Sequence, residues 1–386
     1  MKVLHIANTD FFIKKLMLNK LRGVADKGYE VHAMAPFTSY RQDIEQAGIK
    51  THDFKFHREI RPISDVAAAI RLAKYLKKHN FTIVHTHTSK PGVIGRIAAR
   101  IAKVPIVVHT SHGLPFYQGQ NKIKFHIYKC LEKTAGYFTD IIFSQNKEDL
   151  NQIAKYKLVA PHKAVFEGNG VNIKQLEDKL SKQNPCFIKR KYSVENQTIL
   201  GFYARLEPVK GHLFFLEAFR NFTDQFPNND VILLLAGGNF GYCTDYEKEV
   251  DQKIKELGLD NHIKKVGYIE EITELLSITD ILVLPSQKEG LPRIVMESMT
   301  ASIPAIGTDV LGTREIIKDK HNGRLVPYKD VEAMTEALSE LINNPAKRKE
   351  YGQNAREVIL KEFDERLVVE RIHQQYTKLI DNQKNN

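Results

Sequence analysis

Two carboxylates carry the first chemical signal in this chain. Glu289 and Glu297 stand with seven residues between them in Ser286-Gln-Lys-Glu-Gly-Leu-Pro-Arg-Ile-Val-Met-Glu-Ser-Met299. An acid in a loop can bond hydroxyls or stabilise a developing cation, and an acid about two turns into a helix, at ~3.6 residues per turn, can hold a second group nearby. Two cations precede them, Arg205 and Lys210, in Ala204-Arg-Leu-Glu-Pro-Val-Lys-Gly-His212. A guanidinium fork and an ammonium point charge suit a diphosphate. Four histidines fall in two stretches, His85-Thr-His87-Thr-Ser-Lys-Pro-Gly92 and His109-Thr-Ser-His-Gly-Leu-Pro-Phe116. His85 and His109 lie at strand ends and read as satisfied core or edge histidines. His112 precedes Gly113 where the chain must bend tightly, so its ring should project outward. An imidazole with a pKa near ~6.5 can bond a hydroxyl or handle its proton. The chain has no His-Glu-x-x-His, no Cys cluster and no Asp-x-Asp, so no metal site, obligatory metal or other cofactor is expected.

The elements that position these groups follow from hydrophobic patterning. Ile281-Leu-Val-Leu284 suits a buried parallel strand. Pro285 and Gly290 punctuate the next loop, Pro292 fits the first turn of a helix, and Pro304 ends that helix near Ala301. Ligands of open α/β sheets bind outside the carboxyl ends of strands, which is where Glu289 falls. The N–H groups of Gly290 and Leu291 at the helix start are suited to hydroxyl or phosphate oxygens. Further strands are predicted at Val3–Ala7, Glu30–Ala35, near Thr51, and at Thr82–Thr86, Pro105–His109 and Asp140–Ser144. Between them come helices at Phe11–Gly28, Tyr40–Ala47, Asp65–Lys78, Gly92–Ala102 and Lys122–Tyr137. A second alternation runs from Thr198–Tyr203 through a helix to Phe222, Val231–Leu235 and a strand ending at Tyr268. Helices at Asp330–Ile342, Ala346–Glu362 and Glu365–Leu379 close the chain, with Asp381–Asn386 frayed. Such alternation means doubly wound parallel sheets. Neither glycine cluster is a GxGxxG, and no GxxxxGK[ST] occurs, which argues against a P-loop ATPase.

Length and composition agree. The chain has 386 residues, more than one core usually supports, so two domains are expected. The polar stretch Lys174–Asn196 is the linker candidate. No apolar run reaches the ~18–20 residues of a spanning helix. Met1-Lys-Val-Leu-His-Ile-Ala7 reads as a strand rather than a signal peptide, and Cys130, Cys186 and Cys243 form no pairing pattern, so a reducing cytoplasm is expected. Charge is lopsided. Residues 1–190 hold 32 Lys and Arg against 15 Asp and Glu, a net +17; the other 196 residues hold 25 against 31, a net −6. The basic half fits an anionic membrane, nucleic acid, or mere solubility. No zinc-finger, helix-turn-helix or stacking-aromatic signature supports nucleic acid.

Glu289-Gly-Leu-Pro…Glu297, the Arg205…Lys210-Gly spacing, Gly307-Thr-Asp-Val-Leu-Gly-Thr-Arg-Glu315 and the turn in Val165-Phe-Glu-Gly-Asn-Gly-Val-Asn172 together resemble retaining glycosyltransferases of family 4, the two-Rossmann-domain or GT-B class. The resemblance spans nearly the whole chain and is most specific over 198–326. It implies an α/β fold of two Rossmann-like domains facing across a cleft: an acceptor domain over 1–180, joined by a C-terminal helix at 365–386 that crosses back, and a nucleotide-sugar domain over 197–364. It implies transfer of a sugar from a nucleotide diphosphate sugar with retention, the donor phosphate helping to deprotonate the acceptor. Glu297 would take ribose hydroxyls, Arg205 and Lys210 the leaving diphosphate, and Glu289 the donor sugar, with Gly290, Leu291 and Tyr268 completing the donor set. Asn8, Thr9, Lys90, His112 and Phe116 form the expected acceptor or membrane side, with His112 also catalytic. The two His-rich stretches resemble bacterial enzymes that extend lipid-diphosphate-linked sugars for capsule or surface polysaccharide, often with an N-acetylated sugar on uridine diphosphate. The expected partners are therefore a UDP-sugar, a lipid-linked saccharide and an anionic membrane on the inner face of the plasma membrane, not nucleic acid. Phe11, Phe12, Lys14, Lys15 and the Phe116–Lys133 region mix aromatics with lysines, as an interfacial surface would, or as core packing would. The family's paired glycines after the first strand are replaced here by Asn8-Thr-Asp10. A sugar-nucleotide epimerase of the same fold and a non-enzymatic glycan- or nucleic-acid-binding protein are the alternatives.

Overall fold

Aliphatic runs without polar alternation suit strands covered on both faces, and Ile281–Leu284 is such a strand, buried along its length, in the computed structural model of the chain. The structure describes residues 1–57, 61–117, 120–238 and 244–384; Cys243, Asn385, Asn386 and residues 118–119 of the Phe116–Lys133 region lie outside them. Two compact units are formed, Met1–Asn169 with Glu365–Asn386, and Gly170–Asp364.

The first unit runs β1 (Lys2–Ile6), α1 (Asp10–Phe12), a π turn (Ile13–Met17), α2 (Leu18–Asp26), β2 (Glu30–Ala35), α3 (Arg41–Gln46), β3 (Lys50–Asp53), α4 (Pro62–His79), β4 (Ile83–His87), α5 (Ser89–Ile101), β5 (Ile106–Ser111), α6 (Lys122–Tyr137), β6 (Ile141–Ser144), α7 (Lys147–Lys155) and β7 (Ala164–Phe166). The strands pair in the order β3-β2-β1-β4-β5-β6-β7, in parallel, so the winding reverses between β1 and β4. The first helix is not the uninterrupted one its pattern predicts, because the π turn widens it; it still gives way at Gly28, whose φ is +88°.

The second unit runs α8 (Ile173–Leu180), α9 (Pro185–Tyr192), β8 (Thr198–Tyr203), α10 (His212–Gln225), β9 (Val231–Ala236), α11 (Asp245–Glu256), β10 (Ile263–Gly267), α12 (Thr273–Leu276), β11 (Ile281–Leu284), α13 (Arg293–Thr300), β12 (Ala305–Thr308), α14 (Leu311–Ile316), β13 (Gly323–Val326), α15 (Val331–Ile342) and α16 (Pro345–Glu362). Its parallel order is β10-β9-β8-β11-β12-β13, reversing between β8 and β11. The stretch expected to be a linker, Lys174–Asn196, is mostly α8 and α9. Ile173, Leu176 and Ile188 turn inward, the first and last into this unit's core. The division therefore falls at Asn169/Gly170 rather than within that stretch.

Helix α17 (Glu365–Lys384) belongs to the first unit, as the resemblance implied. Val368, Ile372, Tyr376 and Ile380 enter the core formed with Val3, Leu21 and Ile83. The burial of Ile380 carries the helix through Lys384, so residues 381–384 are ordered helix and not the frayed end expected.

Candidate active site

In the second unit the loops after β8 and β11 leave the sheet side by side, at the point where its winding reverses, the usual ligand position of such sheets. The β8 loop brings Lys210 and the β11 loop brings Glu289: Nζ of Lys210 donates to Oε1 of Glu289 at 2.7 Å, with side chains only 18% and 11% exposed. Backbone contact sets this meeting. Gly211, at φ +76°, has no room for a Cβ, which would lie 2.0 Å from the carbonyl oxygen of Pro285, and Gln287 N donates to Val209 O at 2.8 Å. Helix α14 braces the same turn from behind, since a Cβ on Gly312 would sit 1.2 Å from the Gly290 oxygen. Sequence reasoning had quoted Gly312 within a motif without assigning it this task.

Arg205 is exposed and donates to Glu207 at 2.6 Å; a solvent-facing pair of this kind is worth at most about 1 kcal/mol, so the guanidinium is readily released to another anion. Glu297 is 13% exposed and accepts from Arg293 Nε, one helical turn back, at 2.8 Å. Gly290 is half-buried and Leu291 buried at the start of α13. Pro292 is extended at the N-cap position, one place before the first turn where it was expected. Tyr268 follows β10 and is exposed. His212 lies flat on Phe202 at 4.3 Å, and burial, with the charge of Lys210, pushes its pKa down to about 4. It is a neutral spacer under the β8 loop.

In the first unit the loops after β1 and β4 meet at the equivalent reversal. Asn8 is exposed. The Thr9 hydroxyl accepts from Phe12 N at 3.1 Å, capping α1. Asp10 is buried, and its carboxylate accepts from the N–H groups of Thr38, Ser39 and Tyr40 at 2.7, 2.9 and 3.1 Å. Burial alone would raise its pKa, but those bonds outweigh it and the pKa is lowered. The side chains that replace the family's paired glycines thus tie the β1 loop to the β2 loop, leaving Asn8 as their outward group. Lys90 pairs with Asp65 at 2.7 Å. Phe116 is buried and meets Phe125 and Tyr156 edge-on. It is a core residue of a small cluster, not a membrane-facing one; the exposed apolar side chains nearby are Tyr117, Ile123 and Ile127.

Gly113 takes φ +119°, the tight bend expected after His112. His112 is half-buried, edge-on to Phe12, and it continues into a buried relay. Its Nε2 lies 3.1 Å from His87 Nδ1, and His87 Nε2 lies 3.0 Å from His5 Nδ1. Beside this, His85 bonds Tyr376 at 2.6 Å and Thr110 at 2.7 Å, Thr110 donates to Glu167 at 2.7 Å, and Glu167 pairs with Lys20 at 2.9 Å. His109 bonds Thr86 at 3.0 Å. His85 and His109 are therefore satisfied core histidines, as read. Burial, then the charge of Lys20, pushes His5 and His112 down to about 3, and burial holds His85 and His87 well below their ordinary value. A ring held neutral in this way is suited to bonding a hydroxyl and poorly suited to taking its proton. Sequence reasoning missed His5, Lys20 and Glu167. The only available signal was the i, i+2 pair His85 and His87 on one strand face, beside His5 in register with His85.

Among the described residues one group, His5, His85 and His87, brings three potential metal-binding nitrogens within 4.8 Å. Both nitrogens of His85 already bond Tyr376 and Thr110, and His5 and His87 bond each other. Only His5 Nε2 lacks a partner. A metal would have to replace one hydrogen bond of His85 and one of His87, so the set fits a hydrogen-bonded relay better than a metal centre.

Two Rossmann-like sheets, each with polar and charged groups gathered at its point of reversal, are the architecture of GT-B glycosyltransferases. The chain belongs to that class: residues 2–146 match the family described as Glycosyl transferase 4-like, and residues 187–358 match Glycosyl transferases group 1. It is 28% identical over 333 residues to the UDP-Gal:alpha-D-GlcNAc-diphosphoundecaprenol alpha-1,3-galactosyltransferase of Escherichia coli, covering 84% of this chain and 83% of that one. It is 25% identical to the N,N'-diacetylbacillosaminyl-diphospho-undecaprenol alpha-1,3-N-acetylgalactosaminyltransferase of Campylobacter jejuni, covering 94% of each. Among solved structures, Anabaena HepE in complex with UDP and glucose superposes with a TM-score of 0.81 at 19% identity, over 98% of this chain and 99% of that one.

Proposed function

We propose that this glycosyltransferase moves a sugar, with retention, from a UDP-sugar to a lipid-diphosphate-linked saccharide in the building of a capsule or other surface polysaccharide, working at the inner face of the plasma membrane. The observation that carries the reading is the Lys210–Glu289 contact at the reversal point of the second sheet. On this reading Lys210 neutralises charge developing on the departing diphosphate, and Arg205 turns from Glu207 to the same charge. Glu289 bonds donor-sugar hydroxyls and stabilises the oxocarbenium-like centre. Glu297, oriented by Arg293, takes the ribose hydroxyls. The relatives whose printed names specify diphosphoundecaprenol-linked acceptors support the acceptor class, and the UDP complex of a like fold supports the donor. An N-acetylated donor sugar is the first choice. His112 bonds an acceptor hydroxyl, and deprotonation falls to the donor phosphate.

The test is a mass-spectrometric screen of UDP-sugars against synthetic lipid-diphosphate sugars. A product heavier by one sugar, formed with UDP release that depends on acceptor, supports the reading. Conversion of the UDP-sugar without acceptor would make the protein an epimerase instead. The reading includes no metal, since two cations supply the charge and no Asp-x-Asp occurs. Turnover should survive EDTA, and a loss that Mg²⁺ or Mn²⁺ restores would overturn that part.

A further inference from the structure

Helices α4, α5 and α6 of the first unit enclose a groove of about 590 Å³. Its walls are mainly aliphatic: Val66, Ala69 and Ile70 come from α4, and Val93, Ile97 and Ile101 from α5, with the Asp65–Lys90 ion pair also in the lining. On α4, Ile63, Val66 and Ile70 follow at helical spacing and are 90%, 61% and 47% exposed, while Leu72 and Leu76 on the opposite face are buried in the core. An apolar stripe opening into an apolar groove is unusual on a folded surface that has no apolar ligand. The same helices are strongly basic. Together they carry eleven Lys and Arg against two carboxylates, Asp65 and Glu132.

A polar hollow of about 170 Å³ shares Ser89, Pro115 and Glu132 with the groove, and is lined beyond them by Thr88, Ser111 and His112 at the carboxyl ends of β4 and β5. Glu132, which both share, accepts from Nη2 of Arg96 at 2.6 Å; Arg96 is fully buried and lines neither space itself, and its Nη1 has no partner. Apolar walls, a basic surround and a polar end carrying His112 match an anionic amphiphile from tail to head.

We propose that the groove takes the first isoprene units of the acceptor's lipid, with the diphosphate toward the polar hollow and the sugar toward His112. This rests on the lipid-diphosphate reading above and adds that the protein grips the tail itself, beyond meeting it at a bilayer surface. A series of acceptors with one sugar diphosphate and one, three or more isoprene units, assayed in solution without vesicles, tests it. The intact enzyme should gain at least ~10-fold in kcat/KM along the series, the order expected when several CH₂ groups leave water. Ile97→Trp, which fills the groove, and Ile70→Asp, at an exposed position that tolerates a charge, should lose that gain through KM. Both should keep activity on the shortest acceptor and unchanged UDP affinity. Equal use of short and long acceptors by the intact enzyme, or a gain retained in both variants, overturns the groove and leaves the acceptor class standing. Absence of transfer to any acceptor defeats the underlying reading instead. Farnesyl diphosphate binding, lost in Ile97→Trp, then reports the groove separately, and equal binding by the variant sinks it.

Discussion

Lys210 and Glu289 are covered enough that each is held by the other, yet both keep an edge to solvent. Their worth lies in what they meet when donor binds. Glu289→Gln keeps shape and loses charge, and Lys210→Ala removes the cation proposed to meet the leaving diphosphate. Each should lower kcat/KM by at least ~100-fold, the scale of one lost transition-state contact, with a melting temperature close to that of the parent. Near-normal turnover in either variant removes that residue from the chemistry. Glu297 is predicted to act on binding: Glu297→Ala should weaken UDP affinity measured by calorimetry, with kcat for saturating donor little changed. Unchanged affinity would contradict the ribose role. Both acids and both cations were singled out from residue type and spacing, and the meeting of Lys210 with Glu289 agrees with that choice. The partner of each was not legible: Arg205 to Glu207 and Glu297 to Arg293 are choices made by the folded surface.

At the scale of elements, two features hold the sites in place. One is the backbone packing of α14 on the Glu289–Gly290 turn. Gly312→Ala inserts a Cβ at 1.2 Å from the Gly290 oxygen, so the turn must shift, and activity should fall more steeply than global stability. Full activity would show that the turn tolerates movement. The other is the buried relay joining β1, β4, β5 and α17. Burial pushes His5 and His112 down to about 3 in the folded unit, against ~6.5 in the unfolded chain. The unfolded chain therefore binds more protons between these values. Stability is full above pH ~6.5 and is lost as pH falls toward 3. Denaturant midpoints taken at pH 7, 5.5 and 4.5 should decline in that order, and a flat profile would contradict neutral burial. The relay was out of reach of sequence reading because it depends on the register of His5 beside His85 and on the return of α17, neither of which periodicity encodes. Most strands and helices were legible because aliphatic runs and amphipathic spacing are local, while β7, β12, β13, α7, α11 and α14 were not predicted. The misread linker has the opposite cause. Lys174–Asn196 is polar on average, and its few inward residues, Leu176 and Ile188, are too sparse to stand out until a core receives them. Phe116 failed likewise, since an aromatic beside lysines reads alike whether it faces lipid or Phe125.

At the scale of the whole molecule, the charge asymmetry follows the structural division. The first unit holds 31 Lys and Arg against 16 Asp and Glu, a net +15, and the second holds 26 against 30, a net −4. More than half of the first unit's excess sits on α4, α5 and α6, the helices that also expose Ile63, Val66, Ile123 and Ile127. Among the described residues no helix is long and apolar enough to cross a membrane. Basic residues interleaved with exposed aliphatics suit a surface that lies on an anionic leaflet, each cation near the lipid contributing about 1 kcal/mol. That attraction decays within ~8 Å at physiological ionic strength, so binding should need anionic lipid and weaken with salt. Co-sedimentation of the full chain with vesicles of graded anionic content, at low and high salt, measures this. Replacing Lys122, Lys124 and Lys133, all exposed on α6, by Glu should abolish sedimentation and leave turnover on a short soluble acceptor intact. Equal binding to neutral and anionic vesicles, or no effect of the three replacements, would reduce the basic unit to a solubility feature. Binding to nucleic acid at the same salt would show that the charge selects polyanions in general and not a membrane.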